Sequence, residues 1–396
     1  MPQSKQLTDN IHWIGLNDRT THLFESVWPL PHGISYNSYI IDDDKVAVID
    51  SLKPISPDEY LAHIRNVIGE ERQVDYLIVN HMEPDHSGAI KLLREAFPGL
   101  QVVGNKRTTR FLENFYGITE GILTMEEGGQ LPLGRHTLQF SMIPMVHWPE
   151  TMVTYETTEK ILFSGDAFGA FGALDGGIFD DQVDKDFFYD EIIRYFSNIV
   201  GKYCTNVLKA IEKLQGLELN MVASTHGPVW RQNPWEIIKI YEKLSNQEGE
   251  SGVVVVFGSM YGNTQKMAEA VVRGLHENGC KEVVVHDVSR VHPSYILRDL
   301  WRYSGVVIGG PAYDKGLFPL LENLAYLLEE KKLSNRSAGI FGSCGWSGGG
   351  VKRLQTLAET NDWHLLEPVV EATCSPDDED LKQCYNLGAS MAESLA

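Results

Sequence analysis

At 396 residues, 43% of them hydrophobic, the chain is long enough to bury two or three cores and is no disordered tail. A formal net charge of -20 argues against a basic nucleic-acid-binding face and against anionic membrane surfaces. Met1 to Gln6 lacks an apolar signal core, no stretch reaches the roughly 18 apolar residues of a membrane span, and the five cysteines form no CxxC pair. The expectation is a cytoplasmic protein with reduced thiols, and with neither a disulfide framework nor a rubredoxin-like iron site.

The first half reads as alternating strands and helices. Ser38–Ile41 and Lys45–Asp50, split by the acidic turn Asp42-Asp43-Asp44, predict a β-hairpin. Helical spacing follows over Asp58–Ile68, then the apolar run Tyr76–Val79 predicts a buried strand. That strand delivers His81-Met82-Glu83-Pro84-Asp85-His86, in which four candidate metal ligands fall within six positions. A helix is expected over Ser87–Phe97, ending at Pro98-Gly99. Three further candidates each fall where an apolar run should enter a loop: His147 after Met142–Val146, Asp166 after Ile161–Gly165, and His226 after Met221–Thr225. Phe168–Asp186, rich in Gly, Phe and Asp, is expected to be irregular, a lid or partner surface. Trp148, beside His147, either shields the metal positions or packs a loop.

Any one His or Asp in a loop is ordinarily a solvated turn residue. Four imidazoles and three carboxylates recurring at strand ends are a different matter. Structural zinc prefers thiolates and imidazoles in closed tetrahedra, whereas a carboxylate-rich set suits iron or manganese. Seven ligands exceed the needs of one ion, so two ions sharing a carboxylate are expected, with Asp166 as the bridge.

Pro234–Leu244 predicts a helix, and Ser245–Gly252, without an apolar residue, a linker; the domains expected are 1–249 and 253–396. Val253–Phe257 suits the middle of a parallel sheet. It leads into Ser259-Met260-Tyr261-Gly262-Asn263-Thr264 and then a helix, an anion cradle of backbone N–H groups at a helix N-terminus. Lacking a Walker lysine and GxGxxG, the loop favours a monophosphate. Two more strands end in Pro311-Ala312-Tyr313-Asp314 and Ser343-Cys344-Gly345-Trp346-Ser347-Gly348, so three loops should meet at one edge of a doubly wound sheet. Tyr313 and Trp346 would wall a flat ring there. The acidic run Ser375–Asp380 reads as a solvated helix cap.

The pattern HxExDH, then His147, Asp166 and His226, resembles the flavodiiron proteins, also called A-type flavoproteins; SMYGNT resembles the first loop of flavodoxin, with Tyr261 in place of the usual small residue. The resemblance covers essentially the whole chain. It implies an α/β architecture, a metallo-β-lactamase-like αββα sandwich followed by a flavodoxin-like doubly wound parallel sheet. It implies that His81, Glu83 and His147 hold one iron, Asp85, His86 and His226 the other, with Asp166 between. Ser259 to Thr264 would hold the FMN phosphate and the other two loops the isoalloxazine.

Hydrolases of that sandwich usually carry a histidine where this chain has Glu83, so the exchange favours iron over zinc. The activity implied is reduction of O2 to water, of NO to N2O, or both, in a head-to-tail homodimer or a dimer of dimers. Electrons would come from a separate donor, a rubredoxin-like protein or a reduced deazaflavin. The rival readings are a metallo-hydrolase with an accessory flavin domain, and a flavin-binding carrier or regulator whose metal half is structural.

Overall fold

The computed structural model describes residues 4–395. They form two compact units, one holding the chain through Phe196 and again Tyr203–Glu242, the other Ser197–Lys202 and the chain from Lys243 onward. Among the described residues no helix is long and apolar enough to cross a membrane.

The first unit is built on two sheets. One runs, in spatial order, Lys5–Thr8, Ile11–Trp13, Tyr39–Ile41, Ala47–Ile49, Tyr76–Ile78, Gln101–Gly104 and Ile122–Thr124. The expected hairpin is its antiparallel pair Tyr39↔Ile49 to Ile41↔Ala47. The other runs Gln130–Pro132, Thr137–Met142, Met152–Glu156, Ile161–Gly165 and Met221–Ser224, with only the last pair parallel. Their inner faces meet: the Tyr39 and Phe163 rings lie 5.2 Å apart, and the Tyr39 hydroxyl donates to the Ser224 carbonyl at 2.7 Å. Helices lie outside. Pro57–Ile68 buries Tyr60, His63, Ile64 and Ile68, a stripe at helical spacing.

Three expectations are corrected here. The helix read over Ser87–Phe97 is two pieces, Pro84–Ser87 and Ile90–Ala96. The Ser87 hydroxyl donates to the carbonyls of Met82 and Glu83, drawing the first turn back into the ligand loop. The strand before His147 stops at Met142; Met145 has a positive φ of 67°, and its N–H bonds the Trp148 carbonyl at 2.7 Å, so His147 lies within a tight turn. Phe168–Asp186 is irregular, yet Phe168, Ala170, Phe171, Ala173 and Leu174 are buried, so it is a core-packed strap and not a loose lid. Apolar side chains in an irregular segment serve the core as well as those in a strand.

The second unit is a parallel sheet whose strands, numbered in chain order, lie second, first, third, fourth, fifth: Val283–Asp287, Glu250–Phe257, Tyr303–Tyr313, Ser337–Cys344, then His364–Leu365 and Val370–Thr373 one after the other along the fourth. This order is that of the flavodoxin-like doubly wound fold. Val253 to Val256 are fully buried at its middle, as the β-branched run requires. The connection into it is shorter than the polar stretch suggests. Glu250 already pairs with Tyr303, and Lys243 and Arg302 reach its carboxylate at 3.1 and 2.9 Å. The strand read as ending at Gly310 continues through Tyr313, where Ala312 and Tyr313 pair with Gly316–Leu317. The acidic run does cap a helix, Asp378–Ser394, through the Asp377 side chain.

Candidate functional site

All seven candidate ligands come together in the first unit. The loop after Tyr76–Ile78 presents His81, Glu83, Asp85 and His86; Asp166 leaves the end of Ile161–Gly165, and His226 follows Met221–Ser224. His81, His86, His147, His226, Glu83 and Asp166 are buried. They fall into two sets. His147 Nε2 lies 3.1 Å from Glu83 Oε2 and 3.2 Å from Asp166 Oδ2, with His81 Nε2 3.2 Å from Glu83 Oε2 and 3.6 Å from Asp166 Oδ2. On the other side His86 Nε2 lies 2.9 Å and His226 Nε2 3.7 Å from Asp166 Oδ1, and both approach Asp85 Oδ2, at 3.3 and 3.4 Å. One oxygen of Asp166 therefore serves each set.

These groups fit a pair of cations better than they fit each other. Both oxygens of Asp85, Nδ1 of His86 and Nε2 of His226 are buried without a hydrogen-bond partner, a costly arrangement that bound cations relieve. The charges agree. Against the effect of burial, the neighbouring imidazoles hold Asp166 well below the usual carboxylate range. Against the same effect, the carboxylates push His86 and His147 up to about 9. The field of the cavity calls for positive charge, which metal ions supply in exchange for protons.

Several supporting groups carry no spacing signal in the sequence. Glu150 Oε1 bonds His81 Nδ1 at 3.0 Å and accepts from the Met82 N–H at 2.9 Å, fixing the ring so that Nε2 points inward. The Ser35 carbonyl does the same for His226 Nδ1 at 2.7 Å, and Thr225 donates to Asp166 Oδ1 at 2.7 Å. Only Thr225, adjacent to a ligand, could have been suspected. Trp148 packs its loop, its ring on Phe111 at 5.7 Å, and it stands edge-on to the His81 ring at 5.2 Å. A cavity of about 490 Å³ lined by Leu23, Phe24, Tyr36 and Tyr116 reaches Glu83 and Asp85. Glu25 lies in its wall, its carboxyl pushed up to about 7 by burial and by Glu83.

In the second unit the three predicted loops converge on one cavity of about 440 Å³. Met260, Tyr261, Asn263, Thr264, Pro311 to Asp314 and Ser343 to Ser347 line it, with Lys315 and Cys374 in addition. Ser259, Gly262 and Gly348 lie outside the lining. Ser259 instead accepts the Gly262 N–H at 3.0 Å, which shapes the loop, and Gly262 takes the left-handed conformation, φ 87°, that opens the helix Asn263–Glu277. Tyr261 and Trp346 are 90% and 93% exposed, so they stand at the rim with one face free.

The family model described as ODP family beta lactamase matches residues 34–227, and the flavodoxin model residues 255–388. A nitric oxide reductase of Moorella thermoacetica is 31% identical over the whole of both chains. The anaerobic nitric oxide reductase flavorubredoxin of Escherichia coli K12 is 31% identical over 98% of this chain and 82% of its own. Among solved structures, the rubredoxin oxygen:oxidoreductase of Desulfovibrio gigas superposes with a TM-score of 0.94 at 27% identity, covering 99% of this chain and 98% of that one. The flavodiiron protein of Giardia intestinalis gives 0.93, also at 27%, over 99% and 97%. With both modules matched in order and relatives aligned end to end, the chain belongs to the flavodiiron protein family.

Proposed function

We propose that the chain is an oxidoreductase that reduces nitric oxide to nitrous oxide, dioxygen to water, or both, at a diiron centre fed by FMN. His81, Glu83 and His147 would hold one iron, Asp85, His86 and His226 the other, and Asp166 would lie between them. When bound, the irons supply electrons and open coordination positions for a small diatomic, and the flavin a store of reducing equivalents. The observation that carries the reading is the division of Asp166, Oδ2 toward one ligand set and Oδ1 toward the other.

The protein's own contribution is positioning and exclusion. Glu150 and the Ser35 carbonyl orient His81 and His226. Phe24 and Tyr36 stand edge-on to the His226 ring at 5.5 and 5.6 Å, an aromatic wall that would favour an uncharged diatomic beside the ligands. In the second unit Ser259 to Thr264 would receive the phosphate at the N-terminus of Asn263–Glu277. Pro311 to Asp314 and Ser343 to Gly348 would flank the ring. We further propose two modules split near residues 249–253, a cytoplasmic location, a separate electron donor, rubredoxin-like or a reduced deazaflavin, and a head-to-tail homodimer or dimer of dimers.

Purified protein should be yellow, carry two irons per chain and consume NO or O2 when given a reductant. Zinc in place of iron with cleavage of a thioester or phosphodiester would overturn the reading in favour of a hydrolase. Anaerobic rapid mixing of the reduced protein with each gas ranks the two substrates.

A further inference from the structure

The flavin pocket contains two thiols. Cys344 ends the strand Ser337–Cys344; Cys374 follows the neighbouring strand Val370–Thr373; and both line the 440 Å³ cavity. The backbones are joined there, the Cys374 N–H donating to the Cys344 carbonyl at 2.8 Å, one step beyond the pair Cys344↔Thr373. Adjacent strands lie about 4.8 Å apart and rise about 3.3 Å per residue, so the one-residue offset puts the two Cα atoms about 6 Å apart, inside the roughly 4.4–6.8 Å that a disulfide spans. In an extended strand, successive side chains alternate faces, so Cys374 would point away from Cys344. It does not continue the strand: φ is +64°, and its thiol donates to the Gly345 carbonyl at 3.6 Å, beside Cys344.

We propose that Cys344 and Cys374 form a reversible, redox-active disulfide site in the wall of the flavin pocket, closed by a hydroperoxide. The exposed Cys374 meets the oxidant first. Its thiolate attacks the O–O bond of hydrogen peroxide, breaking it and giving a sulfenic acid and water. Cys344 sulfur then displaces the hydroxyl, which leaves as water with the Cys344 proton. The sum is two thiols and one peroxide to one disulfide and two waters: the sulfurs lose two electrons and the peroxide gains them. Burial and then the Glu371 carboxylate push the Cys344 thiol up, keeping it the resolving partner. Cys204 and Cys384 are buried, and neither these nor Cys280 lines the pocket, so three of the five thiols have no part in the reaction. The bond would join the third predicted loop to the end of the strand Val370–Thr373, across a wall that a bound ring would touch. Only this consequence for the cofactor rests on the flavin reading.

The full-length protein, flavin-loaded and flavin-stripped, is titrated anaerobically with hydrogen peroxide, and free thiols are counted before and after dithiothreitol. The expected result is loss of two of the five thiols, a peptide map joining Cys344 to Cys374 within one chain, and recovery on reduction. Cys374→Ser and Cys344→Ser should each abolish that cross-link. Retention of all five thiols, an unchanged two-thiol loss in Cys374→Ser, or cross-links only between chains would overturn the proposal. Peptide mapping of the unsubstituted protein decides the matter even if a variant fails to fold. A chain that closes the disulfide but never binds FMN would sink the flavin reading and leave this one intact.

Discussion

Glu150 shows how much of a metal site lies outside its ligands. It sits three residues past His147, bonds the far nitrogen of His81 and holds the Met82 amide. Glu150→Gln should keep the fold and lower iron affinity or turnover about 10–100-fold, read by metal analysis and gas consumption. Asp18 is a second buried anchor. It accepts from the Thr20 and Thr21 amides at 2.8 and 3.0 Å and from both hydroxyls, shaping the turn that carries Thr21 to the wall of the 490 Å³ cavity beside Glu83 and Asp85. Burial opposes its ionisation, but the hydroxyl and amide donors of Thr21 and Thr20 bring the carboxyl down to about 2. A pKa depressed below the unfolded value near 3.9 means stability that is fully present above about pH 4 and lost as pH falls through 2. Urea midpoints of wild type and Asp18→Asn should therefore differ by a constant amount from pH 5 to 7 and converge toward pH 2; a gap that persists at pH 2 would refute this.

Among whole elements, the helices Asn263–Glu277 and Asp378–Ser394 pack through glycines. A Cβ at Gly274 would sit 2.1 Å from the Tyr385 carbonyl oxygen, and one at Gly388 2.2 Å from that of Val271. Neither obstacle is a side chain that can swing away, so Gly274→Ala should destabilise the second unit by about 1–3 kcal/mol. Chemical denaturation followed by far-UV circular dichroism measures it. In the first unit Asn105 caps Lys106–Tyr116 by accepting from the Arg107 and Thr108 amides, and its side-chain amide donates to the Glu150 carbonyl. Asn105→Ala should cost about 1 kcal/mol and, through Glu150, loosen His81, visible as a lower melting temperature together with weaker metal retention.

On the scale of the whole molecule, binding and folding are coupled. Cations that bind only the folded ligand set stabilise it by about 2.7 kcal/mol at a free concentration 100-fold above the dissociation constant. Scanning calorimetry of chelator-stripped protein should show a lower transition that readded ferrous iron raises. An unchanged transition would mean that the buried, unpartnered atoms of Asp85, His86 and His226 are satisfied some other way.

What could be read in advance follows from distance along the chain. The strand Tyr76–Ile78, the run Val253–Phe257 and the loop Ser259–Thr264 carry their signals within a few residues, as apolar continuity or as a cradle of hydroxyl and glycine residues. Local chemistry, together with the recurrence of ligand types at strand ends, was enough to expect α/β order in both halves and to name by position seven candidate metal ligands that the fold brings together, while the identity of the two folds came from the family resemblance. The tertiary structure alone decided that Asp166 turns a different oxygen to each ligand set, that Glu150 and Ser35 brace the imidazoles, that Phe168–Asp186 packs into the core, and that Cys374 lies beside Cys344. Each of these depends on groups far apart in sequence meeting at one point, where orientation and burial, and not residue type, set what the side chain does.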